Sequence, residues 1–231
     1  MILPIGGDMG LYIAVMVLTL AIGGGAQLYV SSQLKKYSRV PSSYGLTGAE
    51  MAHRMGYDMG IANVGVNHGG PSQDFFDPRT NSVTLSPDAY GARSITAVAT
   101  AVHEMGHACQ FAEGYAFMKF RSALVPVVNL CSQAWIIVFM VGLFAGVAGG
   151  AFIKLAIIMF AAVLLFQIVT LPVEFDASRR GLQYLKATGM NGGELAGASS
   201  VLRACALTYV AAALTALLQL VYMVLSTRSE E

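Results

Sequence analysis

Four long apolar runs, three without any charge and one with a single Lys, limit what this chain can fold into. Residues 9–30 contain no Asp, Glu, Lys or Arg. Between Arg121 and Glu174 the one charge is Lys154. That stretch is too long for a single bilayer crossing and suits two, about 125–143 and 151–171, joined by a Gly-rich turn at 146–150. Residues 204–225 make the fourth run. A helix rises about 1.5 Å per residue, so each run can cross a hydrocarbon layer of about 30 Å. The composition agrees: 55% of the 231 residues are hydrophobic and 12% charged, a balance foreign to soluble enzymes. A net charge of +1 gives no reason to expect a nucleic-acid partner. Cys109, Cys131 and Cys205 are odd in number and lack C-x-x-C spacing, so they read as small core residues, not as disulfides or a structural zinc site.

Charge also sets the orientation. Residues 1–7 hold no Lys or Arg, whereas Lys35, Lys36 and Arg39 follow the first run. That order favours an uncleaved anchor with its N-terminus outside over a cleaved signal peptide, despite the small residues at Gly25-Ala26. Four crossings then put both termini outside and residues 31–123 and 172–203 in the cytoplasm. These two segments carry twelve of the fourteen Lys and Arg residues, a strong positive-inside bias. A fifth crossing over 93–111 would send Arg179, Arg180, Lys186 and Arg203 outside, and the count argues against it.

Within 40–121 the chain is polar. Thr47-Gly48-Ala49-Glu50 predicts a capping box opening a helix through Met55. A strand is expected over 61–67, and a hairpin over 75–86 with its turn at 78–81. A helix follows over 93–111, with Ile95, Val98, Val102 and Met105 recurring on one side. Val83, Thr84 and Leu85 are nominated as an edge strand that pairs with an extended peptide substrate, against the plain alternative of a structural hairpin. Beyond Pro172 an amphipathic helix is expected to about 188, with a break at Asn191-Gly192-Gly193. The fold class expected is mainly α and integral to the membrane. Four transmembrane helices would carry a cytoplasmic zincin-like α+β catalytic portion, all as one domain.

That portion contains His103-Glu104-x-x-His107. On a helix, i and i+4 share a face one turn apart, so the two imidazoles can hold one metal ion, with Glu104 beside it as a general base on water. The rival reading is two buried histidines satisfied by hydrogen bonds. Two histidines leave zinc short of a protein ligand. His53 and His68 are candidates, but each stands alone. Glu174 is the better one, close to a membrane boundary in a region poor in acids; a carboxylate stabilising a helix start after Pro172 explains it equally well.

The motif followed by a pair of crossings and Glu174-Phe175-Asp176-Ala177-Ser178 resembles the membrane gluzincins, the HtpX-like and CaaX-prenyl-protease group. The closer resemblance, over nearly the whole chain, is to the YugP-like family of neutral zinc metallopeptidases of bacterial membranes. It rests on Tyr37-Ser38-Arg39-Val40-Pro41, Asp77-Pro78-Arg79-Thr80, His103-Glu104-x-Gly106-His107-Ala108-x-Gln110 and Leu171-Pro172-Val173-Glu174-Phe175-Asp176-Ala177-Ser178. The resemblance implies Glu174 as third ligand, one Zn2+ per chain and a place in the bacterial inner membrane. Two departures stand out. Ser178 occupies the position where gluzincins carry Asp, so any orienting hydrogen bond to a metal-binding His is absent or supplied otherwise, for instance by Asp176. Asp74-Phe75-Phe76 replaces an Asp-His-Tyr common in the family.

The expected reaction is peptide hydrolysis, with a peptide or membrane-protein substrate and the lipid bilayer as partners. Arg179, Arg180, Tyr184 and Tyr90 are candidate oxyanion donors, although Arg179-Arg180 at a membrane boundary equally reads as a topology signal. A second class of function is a non-enzymatic membrane assembly or quality-control partner with a structural or vestigial metal site.

Overall fold

The computed structural model describes residues 9–145 and 149–228. The expected turn at 146–150 lies mostly outside them, as do residues 1–7 and the tail 229–231. The elements run α1 (Met9–Tyr37), α2 (Gly48–Asp58), β1 (Gly65–His68), β2 (Phe75–Asp77), β3 (Ser82–Leu85), α3 (Pro87–Gly91), α4 (Ile95–Ala112), α5 (Ala116–Phe144), α6 (Gly149–Ala187) and α7 (Gly192–Arg228). Four of these, α1, α5, α6 and α7, are long and apolar enough to cross a membrane. They contain the four runs anticipated above, and each continues past its run into polar sequence.

The clearest departure is in α6. Pro172 does not separate a crossing from a second helix; it lies inside one continuous helix. Proline removes one N–H and crowds the carbonyl four residues back, which normally ends a helix. Here the next turns are locked by packing, since Val173 and Ala177 are fully buried, and tertiary contacts override local propensity.

The chain packs as two compact units. One comprises Met1–Ala26, Phe120–Thr170 and Tyr209–Glu231. Its described core is apolar and aromatic, with Phe139, Phe160, Leu164, Tyr222 and Met223 buried and Trp135 against Phe160 at a ring-centroid distance of 4.8 Å. The other comprises Gln27–Lys119 and Leu171–Thr208, and it holds the sheet and the motif helix.

In this second unit α4 is the central rod. Ser94 caps its start by accepting the Ala97 N–H at 3.2 Å, and α2, α3, β2 and β3 pack around it. Its faces are buried against these elements, and among the described residues it is not one of the helices long and apolar enough to cross a membrane. The capping box of α2 forms as expected: Thr47 Oγ1 accepts the Glu50 N–H at 3.2 Å and Glu50 Oε2 accepts the Thr47 N–H at 2.7 Å.

The sheet has the order β1-β3-β2. β2 and β3 form the anticipated hairpin, with Phe76 opposite Val83; Asn81, at φ 49°, takes the left-handed position in its turn. β1 begins four residues later than expected and pairs parallel to the other side of β3, Val66 opposite Val83. This corrects the edge-strand expectation. Val83, Thr84 and Leu85 are in the middle strand, flanked by neighbours, with Val83 and Leu85 fully buried. The edges belong to β1 and β2.

Candidate metal centre

His103 and His107 stand one turn apart on α4, their ring centroids 4.8 Å apart and their planes inclined at 78°. A carboxylate reaches them from α6 because two glycines let the helices close up. A Cβ on Gly106, between the two histidines, would come to 2.5 Å from the Ala177 carbonyl oxygen. A Cβ on Gly181 would come to 3.0 Å from the Val102 carbonyl oxygen. Only a residue without a side chain permits such backbone approach. One turn before Ala177, Glu174 therefore arrives beside the rings: Oε2 is 3.3 Å from His103 Nε2 and 3.4 Å from His107 Nε2.

Do these residues fit a zinc ion? Their ligand-capable atoms all lie within 4.8 Å of one another. Two imidazole nitrogens and a carboxylate oxygen form a donor set that catalytic zinc sites use. In a tetrahedral shell with bonds of about 2.1 Å, ligand atoms sit about 3.4 Å apart, close to the separations found here. The cluster is also dry: Glu174 is 1% exposed, His107 5% and Glu104 6%. Glu174 lies beyond the apolar run of α6. Burial pushes its carboxyl pKa up, but the two histidines beside it outweigh burial and hold it below the usual carboxylate range. It is thus ionised, as a ligand must be.

The other nitrogen of each ring is also engaged. Gln110 Nε2 donates to the Val173 carbonyl oxygen at 2.8 Å and to Asp176 Oδ2 at 3.0 Å. These two acceptors fix the amide, so its oxygen faces His107 Nδ1 at 3.0 Å. His107 must then carry its proton on Nδ1, which leaves the Nε2 lone pair for the ion. His103 Nδ1 lies 3.2 Å from Ser178 Oγ. Ser178 thus touches His103 at the position where the gluzincins carry Asp, and Asp176 reaches His107 one step removed, through Gln110.

Asp176 is itself clamped. Arg180 Nε donates to its Oδ2 at 2.6 Å, Arg180 Nη1 to Glu113 Oε1 at 2.7 Å, and Arg179 pairs with its other oxygen. Burial raises the Asp176 pKa, but Arg180, Gln110 and Arg179 together bring it down to about 2. Because Glu113 caps the C-terminus of α4, Arg180 ties that end of the helix to α6.

Of the residues named from sequence, His103, His107 and Glu174 come together and Glu104 is buried next to them in the chain. Arg179 and Arg180 are engaged by Asp176 and Glu113, Tyr184 donates to Asp58 Oδ2 at 2.7 Å, and Tyr90 rests against the His68 ring. His53 and His68 are exposed, outside the cluster. Cys109 lies outside the cluster, and burial pushes its thiol up to about 11. Sequence reasoning missed Gln110 as a partner, although its i, i+3 spacing from His107 put both on one face.

A model of the family described as "putative neutral zinc metallopeptidase" matches residues 12–228. The chain belongs to that family. The "Putative membrane protease YugP" of Bacillus subtilis (strain 168) is 41% identical over 217 residues, which is 93% of this chain and 96% of that relative. No solved structure matches the chain. The family match takes in both elements that build the candidate metal cluster, α4 and α6, and the four helices able to cross a bilayer.

Proposed function

We propose that this member of the zinc metallopeptidase family is a membrane endopeptidase of the gluzincin type, with His103, His107 and Glu174 holding one zinc ion per chain. The observation that carries this is the meeting of two Nε2 atoms and one buried carboxylate oxygen at 3.3 and 3.4 Å. Zinc bound there supplies Lewis acidity toward a peptide carbonyl and acidifies a water molecule.

Each residue then has a defined task. Glu104 takes a proton from the attacking water and returns it to the departing amine, so the peptide C–N bond breaks and the amine leaves neutral. Gln110 and Ser178 hold the two imidazoles with Nε2 toward the ion. Asp176, braced by Arg180, keeps the Gln110 amide from turning over. The small exposure of Glu104, His107 and Glu174 limits competing water and strengthens every charge interaction among them.

Location belongs to the same proposal. The four spans lie in the bacterial inner membrane with both termini outside, and 31–123 and 172–203 face the cytoplasm, where twelve of fourteen cationic side chains gather. The substrate is a peptide or membrane protein within reach of that face.

The test is metal analysis paired with hydrolysis. Purified protein should carry about one zinc per chain and cleave unfolded protein substrate. Glu104→Gln should keep the zinc and lose cleavage by a factor of about 100 or more. Equal cleavage by Glu104→Gln would remove Glu104 from the mechanism. Full biological activity of that variant in cells would favour a non-enzymatic membrane partner instead.

A further inference from the structure

The mechanism above leaves unused a groove of about 920 Å³ in the same unit as the metal centre. Its floor is the first part of α4, at Thr96 and Thr100; its walls are the end of α1 with Lys35, the β1–β2 loop with Asp74, and α3 with Asp88. Thr96, Thr100, His103 and His107 follow one another at i, i+4, i+7 and i+11, a single stripe along the helix. The groove thus ends one turn, about 4.5 Å of helix rise, short of the first metal-binding histidine. An extended peptide advances about 3.3–3.6 Å per residue. A chain whose scissile bond lies at the cluster therefore enters the groove within about two residues.

The lining decides what kind of chain fits. Seven of the fifteen lining residues are Ser or Thr, three are charged, and Leu34 is the one large aliphatic. Such walls suit a hydrated backbone and polar side chains better than a transmembrane helix, although Ser38 and Thr96 already donate to the Lys35 and Leu34 carbonyl oxygens and Ser94 accepts the Ala97 N–H. The charges are unequal. Asp74 accepts the Ser86 N–H through Oδ1 at 2.7 Å, which ties it to a residue two positions before Asp88. Two carboxylates therefore flank Ser86, with the single ammonium of Lys35 on α1. Among the described residues, none of the three takes part in an ion pair.

We infer that this groove seats the substrate on one side of the scissile bond and selects hydrophilic, non-membrane segments that place a Lys or Arg between Asp74 and Asp88. The inference rests on the hydrolase reading for its purpose, but binding alone can test it. Zinc-loaded Glu104→Gln protein in detergent is titrated with three fluorescent decapeptides that differ only in a central Lys, Glu or Leu. The Lys peptide should bind about fivefold more tightly than the Glu peptide. Adding Asp88→Lys should abolish that preference, and adding Lys35→Glu should enlarge it, with zinc content unchanged in both. Equal affinities for the Lys and Glu peptides, or tightest binding of the Leu peptide, would overturn the inference.

Cleavage of a random peptide library by the active protein separates the two proposals. Enrichment of Lys and Arg at one fixed offset, lost in Asp88→Lys, supports both. Cleavage without any basic preference contradicts the groove and leaves the hydrolase. Charge-selective binding without any cleavage does the reverse.

Discussion

The two units of the chain bury different chemistry. In the unit formed by 120–170 with its partner segments, the described core is large aliphatic and aromatic side chains, and buried Thr170 donates into its own helix, to the Phe166 carbonyl at 2.8 Å. In the unit formed by 27–119 and 171–208, Glu104, His107, Gln110, Glu174 and Ser178 are buried together. Their hydrogen bonds run between α4 and α6 as well as within α4, where His107 meets Gln110. The first arrangement tolerates change wherever volume is kept, because dispersion is not directional. The second depends on sub-ångström positions, because every buried polar atom must keep its partner.

The contrast can be broken in several places. Glu174→Ala removes the proposed third ligand, and zinc content should fall from about one per chain to below about 0.1, with loss of hydrolysis. Retention of stoichiometric zinc would mean that another group holds it. Gly106→Ala and Gly142→Ala form a matched pair, since a Cβ would collide in both: with the Ala177 carbonyl oxygen at 2.5 Å, and with Ile153 Cγ1 at 2.8 Å. Each should cost about 1–3 kcal/mol of stability from overpacking. Only Gly106→Ala should weaken zinc binding, by about 100-fold, as competition with a chelating dye would measure. An equal loss in Gly142→Ala would erase the distinction between the units.

Smaller effects separate the two imidazoles. Gln110→Ala frees His107 to change tautomer and should lower zinc affinity about 10–100-fold. Ser178→Ala removes a single longer contact, and about threefold is expected. The weakest effect is on pH. The folded pKa of Asp176 is held down to about 2, below its unfolded value, so its contribution to stability is present above about pH 4 and lost as pH falls toward 2. Thermal melts of the metal-free protein should show that loss, and it should be smaller in Asp176→Asn.

Much of this was legible in the residues. Runs almost free of charge announced the four long helices, Thr47 and Glu50 the start of α2, and the paired histidines two members of the candidate metal cluster. What stayed hidden depends on packing across elements. Pro172 looks like a boundary until Val173 and Ala177 are seen to be buried. Val83, Thr84 and Leu85 looked like an edge because a hairpin alone has two edges, and nothing local revealed that β1 covers one of them. Glu174 was even with a helix-start carboxylate on residue type, and resemblance to a known family tipped it. Gly106 gave no sign of its role, since the close approach it permits involves a helix some seventy residues away in the chain.

A crystal of zinc-loaded protein, with anomalous scattering collected on both sides of the zinc edge, reads the central site directly. One peak should appear with His103 Nε2, His107 Nε2 and a Glu174 carboxylate oxygen each about 2.0–2.2 Å away. A peak bonded to the histidines with Glu174 turned aside, or one lying elsewhere in the unit, would contradict the three-ligand centre.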